Sequence, residues 1–231
     1  MTGGGFTIRG LSLRSLVVPM ARPLVTGVVT SERAACVLID LETEERITGR
    51  SYLFGYSKAG NDCFLPPLRW LSDAMKGEKV TPGAPPDQLF NKARKALTLM
   101  GHEGIAMIAV SGFDMACWDA YAQAQGQPLV EALVGKAAPV TAYNSCGLGI
   151  IEAKAAAEEA KIPVSSHLFP EFSSHLLATT PAAHWLEFTN WSAPLLENPV
   201  TVTDGHVHVS DAPGAGIAWS EDAVEKYSVA I

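Results

Sequence analysis

The alternation of apolar and polar positions over the first quarter of the chain predicts β-strands. Alternating runs occupy residues 6–19, 35–41 and 46–54. The polar stretch 42–45 has the length of a hairpin connection, and the stretch 22–33, with its Pro, Gly, Thr and Ser, separates the first two strands. The chain is therefore predicted to open with an antiparallel meander of three strands.

After Pro66 the apolar residues recur at steps of three and four, which is the spacing of amphipathic helices. Three helices are predicted, at residues 68–75, 86–100 and 105–125, and the last has the longest regular pattern. A meander followed by helices is typical of an α+β domain, which we expect to end near Lys136.

The segment after Lys136 has the pattern of a βαβ unit, in which a helix joins two parallel strands. It continues into a helix, a strand and a hairpin indicated by the dipeptide Asp204-Gly205. In chain order the predicted elements are a strand at 139–144, an Ala- and Glu-rich helix at 151–161, a strand at 162–167, a helix at 172–179, a strand at 183–188 and hairpin strands at 200–202 and 206–209.

The composition limits the classes of partner. Of 231 residues, 48% are hydrophobic and 18% are charged, which is enough apolar material for one or two globular cores. The formal net charge of −7 disfavours nucleic acid, since phosphate binding needs a basic face. No apolar run reaches the roughly 18 residues of a bilayer-spanning helix, and the N-terminus lacks the features of a signal peptide. We therefore expect a cytoplasmic protein with no membrane partner.

Isolated titratable residues are predicted to be structural. Asp114 and Asp119 are five residues apart on one predicted helix and do not share a face, so we expect hydrogen-bond acceptors rather than metal ligands. His206 and His208 alternate along one predicted strand, where a polar hairpin face is a simpler interpretation than a metal site. The cysteines contain no Cys-x-x-Cys pair, which favours buried free thiols over zinc or redox duty. They are Cys36, Cys63, Cys117 and Cys146.

Two blocks of the sequence resemble mandelate racemase, a member of the enolase superfamily. The first block runs from about Thr7 to Asn144, and the second runs from Ile162 to the C-terminus. The segments that carry the resemblance are 37–41 (VLIDL), 51–56 (SYLFGY), 112–120 (GFDMACWDA), 142–145 (AYNS), 163–171 (PVSSHLFPE) and 183–187 (AHWLE).

The resemblance implies an α+β fold, with an enolase-type N-terminal capping domain followed by a partial (β/α) barrel. We expect the cap at residues 1–136 and the truncated barrel remnant at 137–231, in which 137–190 is the strand–helix–strand part and the tail 191–231 returns to the cap. About 95 residues follow Lys136, whereas a complete barrel takes about 250. The central barrel strands are therefore expected to be missing, with the join between 147 and 162.

In the family that it resembles, the reaction removes the proton α to a carboxylate while a divalent metal stabilises the enolate. That chemistry needs a Lys-x-Lys base, three metal-binding carboxylates on successive strands and an Asp–His dyad. Here Lys154 and Lys161 stand alone, and Glu152, Glu158 and Glu159 crowd one predicted helix instead of three strands. We therefore expect no metal site and no magnesium cofactor. The aspartate of the dyad is also absent, which leaves its histidine without the inherited partner that would set its tautomer and pKa.

Two catalytic residues of the family have counterparts here, as does part of its substrate pocket. His167 matches the dyad histidine, and Glu187 matches the carboxyl group that hydrogen-bonds the substrate carboxylate. Both are predicted at strand ends, where α/β proteins place their sites. The residues that the resemblance assigns to substrate binding are Leu24, Thr26, Phe54, Tyr56 and Asn144.

Three functions are compatible with this pattern. The first is metal-independent acid/base chemistry by His167 on a small aryl, hydroxy-acid or carbonyl substrate. The second is a lyase, retro-aldolase or other promiscuous enzyme that uses the same pocket. The third is a non-catalytic binding module or decayed paralogue. Because a shortened barrel leaves open sheet edges, we also expect a homo-oligomer.

Overall fold

The computed structural model describes residues 4–25, 30–101, 103–143 and 163–231. The predicted helix at 151–161 therefore lies outside the described residues. The strands are β1 Phe6–Val25, β2 Thr30–Thr43, β3 Thr48–Phe54, β4 Lys79–Val80, β5 Val140–Tyr143, β6 Leu186–Glu187, β7 Val202–Thr203, β8 His206–Val207 and β9 Ser228–Val229. The helices are α1 Lys58–Ala74, α2 Asp87–Ala96, α3 Ile105–Gln125, α4 Leu129–Ala132, α5 Pro170–Ala178 and α6 Glu221–Tyr227.

The first sheet is the predicted antiparallel meander, which is confirmed. Its strand order is β3-β2-β1-β4, and β9 also pairs with β1. Cys36 of β2 lies opposite both Leu16 of β1 and Phe54 of β3, so the middle strand has its backbone paired on both sides. β1 and β2 extend beyond the predicted bounds because a register shift after Pro19 lets them pair again at Leu24 and Ser31.

Helix α1 begins ten residues earlier than the sequence pattern predicted, at Lys58 instead of residue 68. The prediction was wrong because Pro66 and Pro67 lie inside this helix, where proline costs about 3 kcal/mol. Two interactions offset that cost. Ser57 caps the N-terminus by accepting a hydrogen bond from the backbone N–H of Gly60, and one apolar face of the helix is buried on the sheet.

Helix α3 occupies the predicted residues and lies directly on the first sheet. A Cβ added to Gly112 would come within 2.8 Å of Ile39 and 2.9 Å of Leu53, so only glycine permits this approach. The Ser51 hydroxyl donates to the Gly112 carbonyl over 2.6 Å. The long apolar helix is thereby held against β2 and β3 at the centre of the larger core.

The second sheet corresponds to the partial barrel. Among the described residues its strands form an open sheet and do not close into a barrel. Its order is β6-β5-β8-β7, in which β5 and β6 are parallel and the β7–β8 hairpin pairs antiparallel with β5. The hairpin turn at Asp204-Gly205 is confirmed, with φ of 50° and 75°. The predicted strand at 162–167 is longer than the structure supports. Among the described residues of this segment, only Val164 forms a β-bridge, and it pairs in parallel with Ala183.

The tail returns to the cap through buried hydrogen bonds to Asp119, which is 1% exposed. One carboxylate oxygen accepts from the Ala215 backbone N–H over 2.6 Å. The other accepts from the Arg50 backbone N–H over 2.7 Å and from the Gln123 amide over 2.6 Å. The structural role predicted for Asp119 is confirmed, although burial still raises the pKa of this carboxyl to about 6.

A buried histidine docks α5 against α4. His175 is fully buried, and its Nδ1 accepts a hydrogen bond of 2.9 Å from the Val130 backbone N–H. Burial lowers the pKa of His175 to about 4, so the ring is neutral at physiological pH.

The thiols divide between core and surface. Cys36 and Cys117 are buried as predicted. Burial raises the pKa of Cys36 to about 12, and it raises the pKa of Cys117 well above its usual value. The prediction was wrong for Cys63, which is exposed on α1, and Cys146 lies outside the described residues. No helix in the described ranges is long and apolar enough to cross a bilayer.

Removing one hydrogen-bonding oxygen from Asp119 should weaken the attachment of the tail. We predict that Asp119→Asn lowers the free energy of unfolding by about 2–4 kcal/mol, because its amide group would face N–H donors that then lack an acceptor. The matched control is Asp114→Asn on the same helix. Asp114 has a buried oxygen without a partner and a pKa raised to about 6 by burial and Asp87, so the neutral amide should cost nothing. Urea unfolding at pH 8 measures both, and equal losses would contradict the assignment.

His175 should make stability depend on pH in a defined window. Its folded pKa of about 4 lies below the unfolded value of about 6.5, so the stability is fully present above pH 6.5 and is lost as the pH falls towards 4. The loss attributable to this group between pH 7.5 and pH 5 should be about 2 kcal/mol. His175→Gln retains an acceptor for Val130 but does not titrate. Urea unfolding of both proteins at the two pH values gives the difference, and parallel pH profiles would refute the assignment.

Candidate active site

His167 and Glu187 form a closely spaced pair at the edge of the second sheet. The His167 Nδ1 lies 2.8 Å from the Glu187 Oε2, and the Leu168 backbone N–H donates to the same oxygen over 2.6 Å. Glu187 is 3% exposed, whereas 35% of the His167 side chain is exposed. The carboxylate is therefore fixed inside the protein while the imidazole reaches the surface.

Strand order explains why these two side chains meet. The backbone around Val164 runs parallel to residues 183–185, with hydrogen bonds from His184 N to Val164 O and from Ser166 N to Trp185 O. Each side chain follows directly at the carboxyl end of its segment, where parallel strands present functional groups together. The Ser166 hydroxyl further accepts from the Glu187 backbone N–H over 2.9 Å, which fixes the register between the two ends.

The prediction that His167 lacks the inherited aspartate of the dyad stays a prediction. In the structure another carboxylate, that of Glu187, approaches Nδ1. Because a carboxylate can only accept, Nδ1 must carry the proton, and Nε2 is left as the group that can exchange protons with a ligand. Glu187, which the resemblance assigns to the substrate carboxylate, thus lies beside the histidine, and its role in substrate binding stays a prediction.

The turn that follows His167 has an uncommon backbone. Leu168 and Phe169 have φ of 61° and 49°, in the left-handed region, which costs on the order of 1–2 kcal/mol for each non-glycine residue. The Ser173 hydroxyl holds this turn by donating to the Leu168 carbonyl over 2.8 Å. The conformation aims the Leu168 N–H at Glu187 and starts α5 at Pro170. The strain is therefore located where the pair is assembled.

Next to the pair lies a small apolar depression, which we call the aromatic hollow. It begins one residue after His167 and is lined by Cys36, Tyr52, Phe54, Leu168, Phe169, Thr189 and Trp191. The Trp191 ring stacks on Phe54 with centroids 4.6 Å apart, and Tyr56 meets Phe54 edge-on, also at 4.6 Å. The remaining volume is about 10 Å³, which suits one water molecule and is too small for an aryl group.

The residues predicted to bind substrate have different positions. Phe54 lines the aromatic hollow but is 7% exposed, and Tyr56 is 51% exposed beside it. Leu24 pairs with Ser31 near the end of β1 and does not line the hollow. Thr26 and Asn144 lie outside the described residues.

A buried carboxyl network behind the hollow was missed by the sequence analysis. Glu171 is 4% exposed, and its two oxygens accept from the Tyr52 hydroxyl at 2.9 Å and the Ser192 hydroxyl at 2.7 Å. Burial raises the pKa of Glu171, and burial together with the Glu171 charge raises that of Tyr52 well above its usual range. The position after Pro170 at a helix start suggests an exposed acid, so no local pattern revealed this role.

The described residues do not fit a magnesium ion. In ranges 4–25, 30–101, 103–143 and 163–231, no group of three or more His, Cys, Asp or Glu side chains is arranged to hold a metal. At the pair itself Glu187 is the single carboxylate, and one of its oxygens already accepts from the Leu168 N–H and lies 2.8 Å from the His167 Nδ1. The absence of a magnesium cofactor stays a prediction.

Two family models match the chain. That of the mandelate racemase / muconate lactonizing enzyme N-terminal domain matches residues 10–135, and that of the enolase C-terminal domain-like family matches residues 108–223. In sequence, the chain is 27% identical over 150 residues to L-talarate/galactarate dehydratase of Salmonella typhimurium. This match covers 62% of the chain and 36% of the dehydratase, so the chain spans about a third of that relative's length.

Solved structures share the fold. An enolase from alpha pretobacterium bal199 with bound magnesium has a TM-score of 0.88 at 24% identity, over 97% of this chain and 100% of the other. An enolase from Bradyrhizobium complexed with magnesium and mandelic acid has a TM-score of 0.87 at 23% identity, over 100% of both chains. The expected enolase-superfamily fold, with an N-terminal domain and a partial C-terminal domain, is confirmed. The boundary near residue 136 stays a prediction.

The tautomer of His167 should follow the identity of residue 187. We predict that Nδ1 carries the proton in the neutral ring, because it faces a carboxylate. In Glu187→Gln the new amide can donate, so the proton should move to Nε2. Long-range 1H–15N NMR of the imidazole distinguishes the two forms. Ser166→Ala, which leaves the carboxylate intact, is the control. An Nε2–H ring in the unsubstituted protein would contradict the pairing.

Proposed function

The chain belongs to the mandelate racemase / muconate lactonizing enzyme family, and we propose that it carries out metal-independent proton transfer on a small hydroxy-acid or carbonyl compound. His167 is the acid/base in this proposal, and Glu187 is the residue that orients it. The observation that carries the proposal is the 2.8 Å contact between the His167 Nδ1 and the buried Glu187 carboxylate. Such pairing leaves Nε2 of a surface-reaching ring available to a substrate.

In the proposed step, the lone pair of the His167 Nε2 takes the proton from the carbon next to a carbonyl group. The electron pair of the broken C–H bond passes into an enolate, and the imidazolium that forms is stabilised by the charge of Glu187. Return of a proton from Nε2 completes an exchange or an isomerisation. Since Glu187 has donors from both His167 and the Leu168 backbone, its charge is held in place throughout.

The charges around the pair favour a carbonyl substrate over a carboxylate. Removing an α-proton from a carboxylate creates two negative charges, which the family offsets with a divalent cation. The described hydrogen bonds and ion pairs of His167 and Glu187 include no Lys or Arg. An aldehyde or ketone has a more acidic α-proton and forms a singly charged enolate, so an imidazole base can act on it without a metal.

The compounds bound to two solved neighbours support a small oxygen-rich molecule as the substrate. One solved neighbour is complexed with magnesium and mandelic acid, and a neighbour from Polaromonas sp. JS666 is an L-talarate dehydratase complexed with magnesium and L-glucarate. Unlike these magnesium-bound neighbours, the protein is proposed to act without a metal. The support is that no three His, Cys, Asp or Glu side chains among the described residues are arranged to hold one. A homo-oligomer remains part of the proposal, because β6 and β7 form the edges of an open sheet.

Exchange of α-protons in heavy water tests the function directly. We predict that the protein exchanges the α-proton of a 2-hydroxy aldehyde or ketone, such as glyceraldehyde or hydroxyacetone, faster than that of mandelate, and that a chelator leaves the rate unchanged. His167→Ala should lower the rate at least about 100-fold, the usual contribution of a general base. NMR of the substrate signal measures each rate.

The control is His184→Ala, which removes an exposed histidine close to the pair in sequence and should leave the rate unchanged. Equal rates for the His167 and His184 variants, or exchange that needs added magnesium, would contradict the proposal.

The narrowness of the aromatic hollow favours a second candidate, a protein that binds ligands without turnover. Trp191 fills the space in which an aryl substrate of the family type would be expected, and the residual volume is about 10 Å³. Saturable binding of the same carbonyl compounds without any exchange would support this candidate over the enzyme.

A further inference from the structure

We infer that a second cavity, formed between α5 and the C-terminal tail, binds a small neutral polyhydroxylated molecule. We call it the tail cavity. It has a volume of about 300 Å³ and is lined by Glu171, Ser174, His175, Asn198, Pro199, Val200, Thr201, His208, Ser210, Asp211, Ala212, Ala215 and Gly216. None of these residues lines the aromatic hollow. The volume lies at the lower end of the range for small-molecule sites.

One lining residue of the tail cavity carries a buried hydrogen-bond donor without a partner. His175 is fully buried, and its Nε2 makes no hydrogen bond in the structure. The Ala215 backbone is near enough to raise the pKa of the ring slightly against the effect of burial, but it does not meet Nε2 with hydrogen-bond geometry. A buried donor left in this state is destabilising by about 1–3 kcal/mol, which an oxygen atom of a ligand would relieve.

The hydrogen bond at the Nδ1 of His175 determines which ligands its Nε2 can bind. Nδ1 receives the Val130 backbone N–H over 2.9 Å, so in the neutral ring the proton is on Nε2. A metal ion needs a lone pair at Nε2 and would force the proton onto Nδ1, against the Val130 donor. The tail cavity therefore presents a fixed N–H group, which selects a hydroxyl or carbonyl oxygen and disfavours a cation at this nitrogen.

The charges of the lining disfavour an anion. The cavity is lined by the carboxyl groups of Glu171 and Asp211 and by no Lys or Arg. Glu171 is buried and held by Tyr52 and Ser192, while Asp211 is exposed. An anionic ligand would face these acids without a cation to pair with it. A hydroxyl group can donate to a carboxylate and accept from His175, so a polyol satisfies both kinds of group.

The lining includes further polar groups that are open to solvent. Asn198, His208 and Asp211 are exposed, and Ser210 is half-buried. Pro199, Val200 and Ala215 add apolar surface that can contact C–H groups. A mixture of apolar surface and a few polar groups is the pattern of a small-molecule site.

The test uses the full chain and the probes glycerol, xylitol and glucose. We expect at least one of them to cause saturable NMR shifts of the His175 Nε2–H and the Val130 amide. Ser210→Ala combined with Asn198→Ala should weaken this binding at least tenfold without unfolding the chain, since both side chains are at or near the surface. His206→Gln, a hairpin substitution outside the lining, is the matched control and should bind as the unsubstituted protein does.

Three results would overturn the inference. The first is the absence of saturation with every probe up to 0.1 M, with a nuclear Overhauser contact between His175 Nε2–H and a bound water. The second is unchanged binding in the Ser210/Asn198 double variant. The third is tighter binding of glycerate than of glycerol, because the charges of the lining predict the reverse order.

Discussion

A carboxylate that is removed from water must receive hydrogen bonds, and the Glu187 side chain is nearly inaccessible to solvent. The Leu168 backbone N–H donates to it and the His167 ring lies 2.8 Å from it, and both come from the segment next to residues 183–185. The left-handed turn at Leu168 and Phe169 is needed to aim that N–H. The position of His167, the start of α5 and the lining of the aromatic hollow all follow from satisfying this one buried charge.

Two other buried acids join the C-terminal part of the chain to the first sheet and to α3. Glu171 joins α5 to β3 through the Tyr52 hydroxyl, and Asp119 joins α3 to the tail through the Ala215 backbone. Each acid is desolvated, which raises its pKa, and each accepts hydrogen bonds from uncharged donors. For Asp119 the nearby Arg50 charge also lowers the pKa against the larger effect of burial. Such pairing is directional, so it fixes how the second sheet lies on the first. The functional pair therefore depends on hydrogen bonds formed far from it in sequence.

Sequence patterns predicted those elements whose structure depends mainly on residues that are close together in the chain. Strand alternation located the meander, helical spacing located α3, and Asp204-Gly205 located the hairpin, because each depends on neighbouring residues. The start of α1 was wrong because burial of one face outweighs the local penalty of Pro66 and Pro67. The resemblance identified His167 and Glu187, and strand order brought them to one edge. Their direct contact could not be predicted, since it depends on which donor a buried oxygen finds in three dimensions. Glu171 was missed for the same reason.

The most direct test of the central claim is a double-mutant cycle between His167→Ala and Glu187→Gln, read as free energies of unfolding at pH 7. It measures the contact itself and does not depend on finding a substrate. The account predicts a coupling free energy of about 1 kcal/mol or more, because each side chain loses its partner in either single variant. Additive losses, with a coupling below about 0.3 kcal/mol, would show that the two residues do not act as a pair and would contradict the account.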